Sequence, residues 1–308
     1  MAGYLIYNGF WNPTGPPDVI RRLQIAGERA GLPLAPLPNT ALAADFAGGM
    51  PAVRRVDEPE KEPLTAADFA LFWDKDVRLA RTMEAVGMRL YNPADGVAVC
   101  DDKAATHLAL ARHGLPMPRT LVAPMTYLHM DAGPSEAFYR TTEEQLGYPL
   151  VLKECFGSLG GQVYLVRNGG QLRRLADTLA ARPFLLQEYI PPGGEDFRLY
   201  MVGGRLAAAM RRVNPADFRA NIGSGGQGQA YVPTPEETAL AQEACRILGV
   251  PIAGVDILHT PEGKPLLCEV NSSAQLAGIT ACTGVDIAGE IVAFVRRSEE
   301  EKTGHTNG

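Results

Sequence analysis

The sequence predicts an α/β (α+β) protein of two or three packed lobes with a short disordered tail at its end. Two observations support this class. Apolar strands alternate with helices over residues 1–95, which is typical of a small α/β lobe, and strands dominate after residue 95. The chain has 308 residues, 46% hydrophobic and 21% charged, so it is long enough to form several packed cores.

The first predicted lobe covers residues 1–95. Its elements are, in chain order, a strand at 4–7, a Gly/Pro-rich loop at 12–17, a helix at 18–30, a strand at 69–73 and a helix at 76–86. Asp18 is a candidate N-cap of the first helix, and Gly87 follows the second, as is common at helix ends. Residues 1–95 therefore contain the alternation of strands and helices that predicts an α/β lobe.

The rest of the chain, residues 96–297, is predicted to form one or two further lobes. Their elements are a helix at 102–113, strands at 150–154, 162–166, 185–190, 197–202 and 205–212, a helix at 235–248, strands at 253–258 and 265–270, and a helix at 286–296. The strands on either side of Gly203-Gly204 form the clearest hairpin, because a two-residue glycine turn matches strand twist. The polar segment 298–308 is predicted to be disordered.

Charge and cysteine usage exclude several classes of protein. The net charge is −6, so no basic field favours nucleic acid or an anionic membrane. The five cysteines are scattered without metal-ligand spacing, which suits a reducing compartment. The N-terminus lacks the features of a signal peptide, and no apolar stretch reaches the roughly 20 residues of a membrane helix. We therefore expect a cytoplasmic protein.

A glycine-rich loop follows an apolar strand that ends in Lys153. It carries Gly157, Ser158, Gly160 and Gly161. Glycines let backbone N–H groups converge on phosphate oxygens, and the lysine supplies a point charge. The Walker pattern is absent, however. The segment is either a phosphate-binding loop of another type or a flexible hairpin loop with a solvated lysine.

An acidic and amide cluster lies near the C-terminal end. Asp256 is in one predicted strand, and Glu269 and Asn271 are in the next, on one face by alternation. If the two strands pair, Asp256 shares that face. Three such oxygen ligands suit Mg²⁺, which also binds substrate phosphates. The alternative is three polar residues at an exposed sheet edge.

Arginines concentrate on the predicted hairpin. Pairing across its glycine turn places Asp196, Arg198 and Arg211 on one face, with Arg212 on the other unless a bulge intervenes. Arginine matches the oxygens of phosphates and carboxylates. An exposed ladder of Asp/Arg pairs would explain the pattern equally well.

Taken in order, these segments resemble the ATP-grasp superfamily, and within it the RimK-like glutamate ligases, with bacterial glutathione synthetase more distant. The matching segments cover roughly residues 90–296. They are Asp102-Lys103, Gly114-Leu-Pro-Met-Pro, Leu152-Lys153 with its glycine loop, Gln187-Glu188-Tyr189-Ile190, Asp196-Phe-Arg198, Arg211-Arg212, Asp217-Phe-Arg219-Ala-Asn221, Gly254-Val-Asp256, Glu269-Val-Asn271 and Thr283-Gly-Val-Asp-Ile-Ala-Gly289.

The resemblance implies an ATP-grasp fold, with a pre-ATP-grasp lobe at 1–95, a central subdomain at 96–187 and a C-terminal subdomain with the metal site at 188–297. The residues it implies for ATP binding are Lys103, Lys153, Gly157, Ser158, Gly160, Gly161, Gln187, Glu188, Tyr189, Ile190, Asp196, Arg219 and Asn221. It implies Mg²⁺, or Mn²⁺, at Asp256, Glu269 and Asn271. It implies that Arg198 and Arg212 steady an acyl phosphate and the tetrahedral intermediate that follows.

The implied activity is ATP-dependent ligation of a carboxylate to an amine, with ADP and phosphate as products and an amino acid such as glutamate as one substrate. Its partners would be small-molecule or peptide substrates, with a homo-oligomer possible and no nucleic acid or membrane. A kinase on the same fold and a catalytically silent nucleotide-binding regulator are the rival classes.

Two departures from the related patterns bear on the substrate. RimK-like proteins usually follow the metal-binding Asn with Ser-Pro-Gly, whereas here Asn271-Ser-Ser precedes Ala274-Gln275. D-Alanine–D-alanine ligases typically carry Arg two residues before the metal-binding Asp, where this chain has Gly254. The second departure disfavours that activity, and the first leaves the substrate open.

Overall fold

The computed structural model describes residues 3–11, 16–58, 60–65, 69–127, 133–158, 160–179 and 181–305. Its strands are β1 (Gly3–Tyr7), β2 (Leu34–Pro38), β3 (Leu42–Asp45), β4 (Ala52–Arg55), β5 (Phe69–Trp73), β6 (Arg89–Tyr91), β7 (Thr120–Val122), β8 (Leu150–Glu154), β9 (Val163–Val166), β10 (Phe184–Glu188), β11 (Glu195–Val202), β12 (Arg205–Val213), β13 (Gln227–Ala230), β14 (Ile252–His259) and β15 (Pro265–Asn271). Its α-helices are α1 (Asp18–Arg29), α2 (Val77–Ala85), α3 (Ala94–Asp101), α4 (Lys103–Ala111), α5 (Glu136–Leu146), α6 (Gly169–Leu179), α7 (Pro235–Leu248), α8 (Ala277–Thr283) and α9 (Ile287–His305).

The first sheet is parallel and has the strand order β2-β1-β5-β6. Alternate residues of β1 and β5 pack against opposite helices: Leu5 joins the core cluster that contains α1, and Ile6 the one that contains α2. In the strand order, β2 lies on one side of β1, and β5, which comes later in the chain, lies on the other side of β1. The carboxyl ends of β1 and β5 meet side by side, with Tyr7 opposite Trp73.

The second sheet is antiparallel, in the order β7-β10-β8-β9, and α5 and α6 cover one of its faces. The third sheet has the order β13-β12-β11-β14-β15. Helix α7 packs on one face of this sheet, through residues such as Ala241 and Ala244. Helices α8 and α9 pack on the other face, within the cluster that also contains α1. One continuous apolar core therefore joins the first lobe to the third sheet.

The predicted hairpin across Gly203-Gly204 is confirmed as β11 and β12, and it contains a one-residue bulge. Tyr200 pairs with Ala208 and Met201 with Leu206, so Ala207 is the extra residue. The bulge shifts the register beyond it, and Asp196 pairs with Arg212 rather than Arg211. The alternation that placed Arg211 on the same face as Asp196 is therefore wrong, and Arg212 occupies that face.

Two other expectations require correction. Pro17, not Asp18, occupies the N-cap position of α1; Asp18 lies in the first turn and accepts a 2.6 Å hydrogen bond from Arg22 Nε. The tail predicted from residue 298 is helical to His305, as part of α9. Residues 12–15 of the predicted Gly/Pro-rich loop and residues 306–308 of the tail lie outside the described residues.

The end of α9 is fixed by a contact with the first lobe. The Glu299 carboxylate accepts a hydrogen bond from Tyr91 Oη at 2.6 Å and a further one from Arg89, and its side chain is 12% exposed. A tertiary contact thus stabilises a segment whose composition alone favours disorder.

Within the part of the chain that the structure describes, no single helix is long and apolar enough to cross a membrane. Helices α8 and α9 meet that test only when taken together, and they are bent by 109° at the break between them.

Replacing Glu299 with Ala should lower the free energy of unfolding by about 1–3 kcal/mol, because the buried Tyr91 hydroxyl and Arg89 lose their acceptor. Glu300→Ala is the matched control on the same helix, since Glu300 is largely exposed and lies 3.6 Å from Arg296. Urea unfolding measures both variants. Equal stability of the two would show that the end of α9 does not contribute to the fold.

Candidate active site

One cavity is lined by residues from the first, second and third sheets or from the loops that follow their strands. Sixteen of the residues predicted to form the site line it: Lys103, Lys153, Gly157, Ser158, Gly160, Gln187, Glu188, Tyr189, Ile190, Asp196, Arg198, Arg219, Asn221, Asp256, Glu269 and Asn271. The two other predicted residues, Gly161 and Arg212, do not line it. Segments far apart in the sequence therefore converge on one space.

The glycine loop is held over this cavity by side chains of the segment that joins β12 to β13. Arg219 donates a 2.7 Å hydrogen bond from Nη1 to the Gly160 carbonyl, and Asp217 holds the same guanidinium at 2.7 Å. Gly160 has a φ of +73°, and a Cβ at this position would lie 3.0 Å from the Asn221 side chain. A residue other than glycine would thus be strained and crowded here.

Lys153 is buried at the end of β8, with 7% of the residue exposed. Its Nζ contacts Cys268 Sγ at 3.5 Å, and this sulfur is its one hydrogen-bond partner among the described residues. A solvated lysine on a flexible loop is therefore ruled out. Lys103, also 7% exposed, reaches the cavity from the start of α4, with Nζ 3.6 Å from Glu269. Two buried ammonium groups thus enter the cavity from different elements.

The segment Gln187–Ile190 follows from β10 along the cavity wall. Gln187 is fixed by its Nε2, which lies 2.9 Å from both Thr120 Oγ1 and His107 Nε2. His107 Nδ1 lies 2.8 Å from the Lys103 carbonyl, so Nδ1 carries the proton and Nε2 accepts from Gln187. Burial lowers the pKa of His107, which keeps this imidazole neutral. Its role as a support for Gln187 is visible only in the structure.

A buried network of arginines and carboxylates forms the floor of the cavity. Asp256 accepts hydrogen bonds from Arg198 at 2.7 and 2.6 Å, and its Oδ2 lies 2.9 Å from Arg212 Nη2. Arg212 also binds both oxygens of Asp196, at 2.6 and 2.7 Å. Arg212 thus lies behind the two carboxylates, whereas Arg198 faces the cavity.

Burial acts to raise the pKa of both carboxylates of this network, but the net shift of the pKa differs between them. Burial acts to raise the pKa of Asp256, but the positive charges of Arg198 and Arg212 outweigh it and lower the pKa. For Asp196, burial raises the pKa in spite of Arg212. Asp256 is therefore the carboxylate that is most firmly held ionised.

The predicted metal ligands meet across β14 and β15, where Asp256 pairs with Glu269 and Gly254 with Asn271. Nowhere in the described ranges, this site included, do three His, Cys, Asp or Glu side chains come together. A metal ion at this site would therefore need the Asn271 amide as a further ligand. The Nδ2 atom of the Asn271 side chain is buried and has no hydrogen-bond partner among the described residues. If the amide group rotated, its oxygen would take the place of Nδ2. With the partly exposed Glu269, the donor set therefore fits a hard cation that keeps several waters.

The loop after Asn271 packs tightly on the third sheet. A Cβ at Gly254 would lie 2.7 Å from the Ala274 Cβ, and the Tyr200 hydroxyl donates a 3.1 Å hydrogen bond to the Ala274 carbonyl. An arginine at position 254, as in D-alanine–D-alanine ligases, would strike this loop. Ser273, Ala274 and Gln275 line the cavity as a result.

The first lobe contributes site residues that the sequence analysis missed. Asn8, Trp73, Asp74 and Lys75 line the cavity, and they follow or end β1 and β5. Polar residues directly after an apolar strand, as in Phe69–Trp73 followed by Asp74-Lys75, were the available signal. In parallel sheets, ligands bind at the carboxyl ends of the strands.

Comparison with known proteins places these residues in a family context. A family model described as "RimK-like ATP-grasp domain" matches residues 100–295. The chain is 35% identical over 232 residues to the "Probable alpha-L-glutamate ligase" of Alkalilimnicola ehrlichii, which covers 74% of each chain. It is 31% identical over 227 residues to the Beta-citrylglutamate synthase B of Danio rerio, covering 72% of this chain but only 54% of that protein. The matched part thus spans about half the length of this second relative.

The fold is similar to that of a solved ATP-grasp protein. The crystal structure of the RimK domain protein ATP-grasp from Sphaerobacter thermophilus superposes with a TM-score of 0.70 at 22% identity, over 95% of this chain and 98% of that one. The likeness therefore includes the first lobe, which the family model does not match.

Asp256→Asn and Glu269→Gln should differ sharply in stability although both residues are candidate metal ligands. Neutralising Asp256 leaves two buried arginines short of a counter-charge, and we expect a loss of about 3–5 kcal/mol in the free energy of unfolding. Glu269→Gln should change it by less than about 1 kcal/mol, because this carboxylate is partly exposed and has one 3.6 Å ion pair. Chemical denaturation distinguishes the two, and similar losses would contradict the buried network.

Proposed function

The chain belongs to the RimK-like ATP-grasp family, and we propose that it is an ATP-dependent carboxylate–amine ligase. It would form an amide or peptide bond through an acyl phosphate and release ADP and phosphate. The observation that carries this proposal is the meeting of Lys103, Lys153, Arg198 and the Asp256–Glu269 pair in one cavity. Charge of both signs is needed where a phosphoryl group is transferred to a carboxylate.

The nucleotide would occupy the side of the cavity between the second and third sheets. The glycine loop and Lys153 would contact phosphate oxygens, with Lys103 acting from the start of α4. Gln187–Ile190 would line the adenine end, where Gln187 is pre-positioned by Thr120 and His107. Preorganised donors of this kind stabilise developing charge without reorganisation.

The metal would be held by Glu269, Asn271 and Asp256, with Mg²⁺ as the expected ion and Mn²⁺ as a second candidate. When bound, the ion would neutralise charge on the phosphate oxygens. Arg198 would orient the carboxylate that is activated, since its guanidinium faces the cavity and is itself aligned by Asp256. Arg212 would act indirectly, by holding the carboxylates of Asp196 and Asp256 in place.

Glutamate is the first substrate to test, because the Alkalilimnicola ehrlichii relative is named a glutamate ligase. Carboxylate and amine partners would be small molecules or peptides. Mass spectrometry of the products distinguishes the proposal from its rivals, since a ligase gives an amide with ADP and phosphate. A phosphorylated product would indicate a kinase, and ATP binding without turnover a regulator.

Lys153→Met should reduce kcat by roughly 10²–10³-fold and weaken ATP binding, because it removes a buried charge that faces phosphate while keeping most of the stem. Lys264→Met is the matched control, since Lys264 is exposed on the β14–β15 turn. Coupled ADP release and nucleotide titration measure the two effects. Unchanged ATP affinity in Lys153→Met would contradict the phosphate assignment.

Gln275→Ala should lower kcat/KM for the acceptor substrate by about 10-fold or more and leave KM for ATP nearly unchanged. Gln275 lines the cavity beside Ser273, and its amide both donates and accepts hydrogen bonds. Steady-state kinetics with each substrate varied in turn tests this. Equal effects on both substrates, or none, would mean that the loop only supports the fold.

A further inference from the structure

We infer that the first lobe holds the α-ammonium group of an amino acid or of a peptide N-terminus. Asp74 Oδ2 would accept from the ammonium, and Trp73 Nε1 would donate to the neighbouring carboxyl or carbonyl oxygen of the same molecule. This inference rests on the proposed ligase function and adds to it the place and chemistry of one substrate.

Asp74 is a buried carboxylate with one oxygen left unsatisfied. The residue is 4% exposed. Its Oδ1 accepts hydrogen bonds from Asn8 Nδ2 at 3.1 Å and from the Lys75 backbone N–H at 2.7 Å, whereas its Oδ2 has no partner. Burial raises the pKa of Asp74 accordingly. A buried charged oxygen without a partner is costly, so its persistence points to a ligand.

The unsatisfied atoms in the described structure are not scattered. Three buried side-chain atoms lack a hydrogen-bond partner within the described residues: Trp73 Nε1, Asp74 Oδ2 and Asn271 Nδ2. All three residues line the same cavity. Trp73 is 7% exposed, so its indole N–H is also shielded from bulk water. One acceptor and one donor therefore stand on consecutive residues at one end of the cavity.

The neighbouring cations have other partners. Lys75 Nζ pairs with Asp101, Lys103 with Glu269, and Arg198 with Asp256. A phosphate group would be repelled by Asp74, which excludes this end of the cavity for the ATP phosphates. A metal ion would need further oxygen or nitrogen ligands, and no group of three His, Cys, Asp or Glu is found in the described ranges. A primary ammonium, with three donors, satisfies Oδ2 directly.

The position of Asp74 in the fold supports a binding role. Asn8 follows β1 and Asp74 follows β5, and these strands are parallel neighbours with Tyr7 opposite Trp73. The chain runs to opposite sides of the sheet from these two strands, so their carboxyl ends bound the crevice in which open α/β sheets bind ligands. Gln275, from the loop after Asn271, lines the same cavity as Asn8, Trp73 and Asp74.

The first test measures the binding affinity of matched compound pairs. The probes are the standard amino acids, their amides and the corresponding carboxylic acids that lack the α-amino group, each with MgATP. Wild-type protein should prefer an amino compound over its des-amino partner by about 10- to 100-fold. Asp74→Asn should abolish that preference, and Trp73→Phe should weaken binding of the amino compound while keeping the preference. Asp95→Asn, at an exposed carboxylate, should change neither.

The second test separates a ligand-binding role from a structural one. Without ligand, Asp74→Asn should unfold at the same temperature as the wild type or higher, because it removes an unsatisfied buried charge. A clear fall in its unfolding temperature would overturn the inference, as would equal wild-type affinity for amino and des-amino compounds. Amides that bind as well as free amino acids would identify a peptide N-terminus. Amino-compound binding through Asp74 without phosphate release or amide formation would contradict the ligase function alone.

Discussion

The structure of the site depends on the carboxylate of Asp256, which neutralises two buried arginines. Arg198 and Arg212 approach it from β11 and β12, and Asp256 itself lies on β14, so the three central strands of the third sheet share one charge network. Buried ion pairs cost desolvation energy and fix geometry only when each partner is satisfied. Here Asp196 supplies the second counter-charge, and the network leaves Arg198 oriented toward the cavity.

A second constraint sets the first lobe against this network. Asn92 donates from Nδ2 to the carbonyls of Ile252 and Ser272 and accepts at Oδ1 from the Ile252 N–H, and it is 1% exposed. These bonds fix the start of β14 and the loop after Asn271 to the end of β6. Because α1 and α9 share an apolar core, the carboxyl ends of β1 and β5 are held beside the same loop. The end of the cavity that the first lobe lines is thus positioned by the packing of two lobes.

The sequence was informative where local pattern decides structure. The positions of Lys153, of the glycine loop and of the Asp256–Glu269 pair could be predicted from strand alternation and glycine spacing. Arg212 was assigned to the wrong face by alternation, because the bulge at Ala207 is a backbone irregularity with no residue such as glycine to signal it. Strand β2 was not predicted because Pro36 and Pro38 argue against a strand. The structure tolerates these prolines because β2 lies at the edge of its sheet. Asp74 and Asn8 could be assigned to one site only once it was known that β1 and β5 are neighbouring strands.

Stability and function make opposite demands on the residues around this cavity. Elsewhere in the described chain, buried side-chain polar atoms find partners, as in the Asn92 and Asp256 networks, whereas Trp73, Asp74 and Asn271 each keep one atom unsatisfied. A fold selected for stability alone would pair these groups or replace them. Their convergence on one cavity supports the inference that this region binds a molecule with complementary donors and acceptors. In the proposed ligase, binding energy from such groups would help to align the substrate with the activated carboxylate.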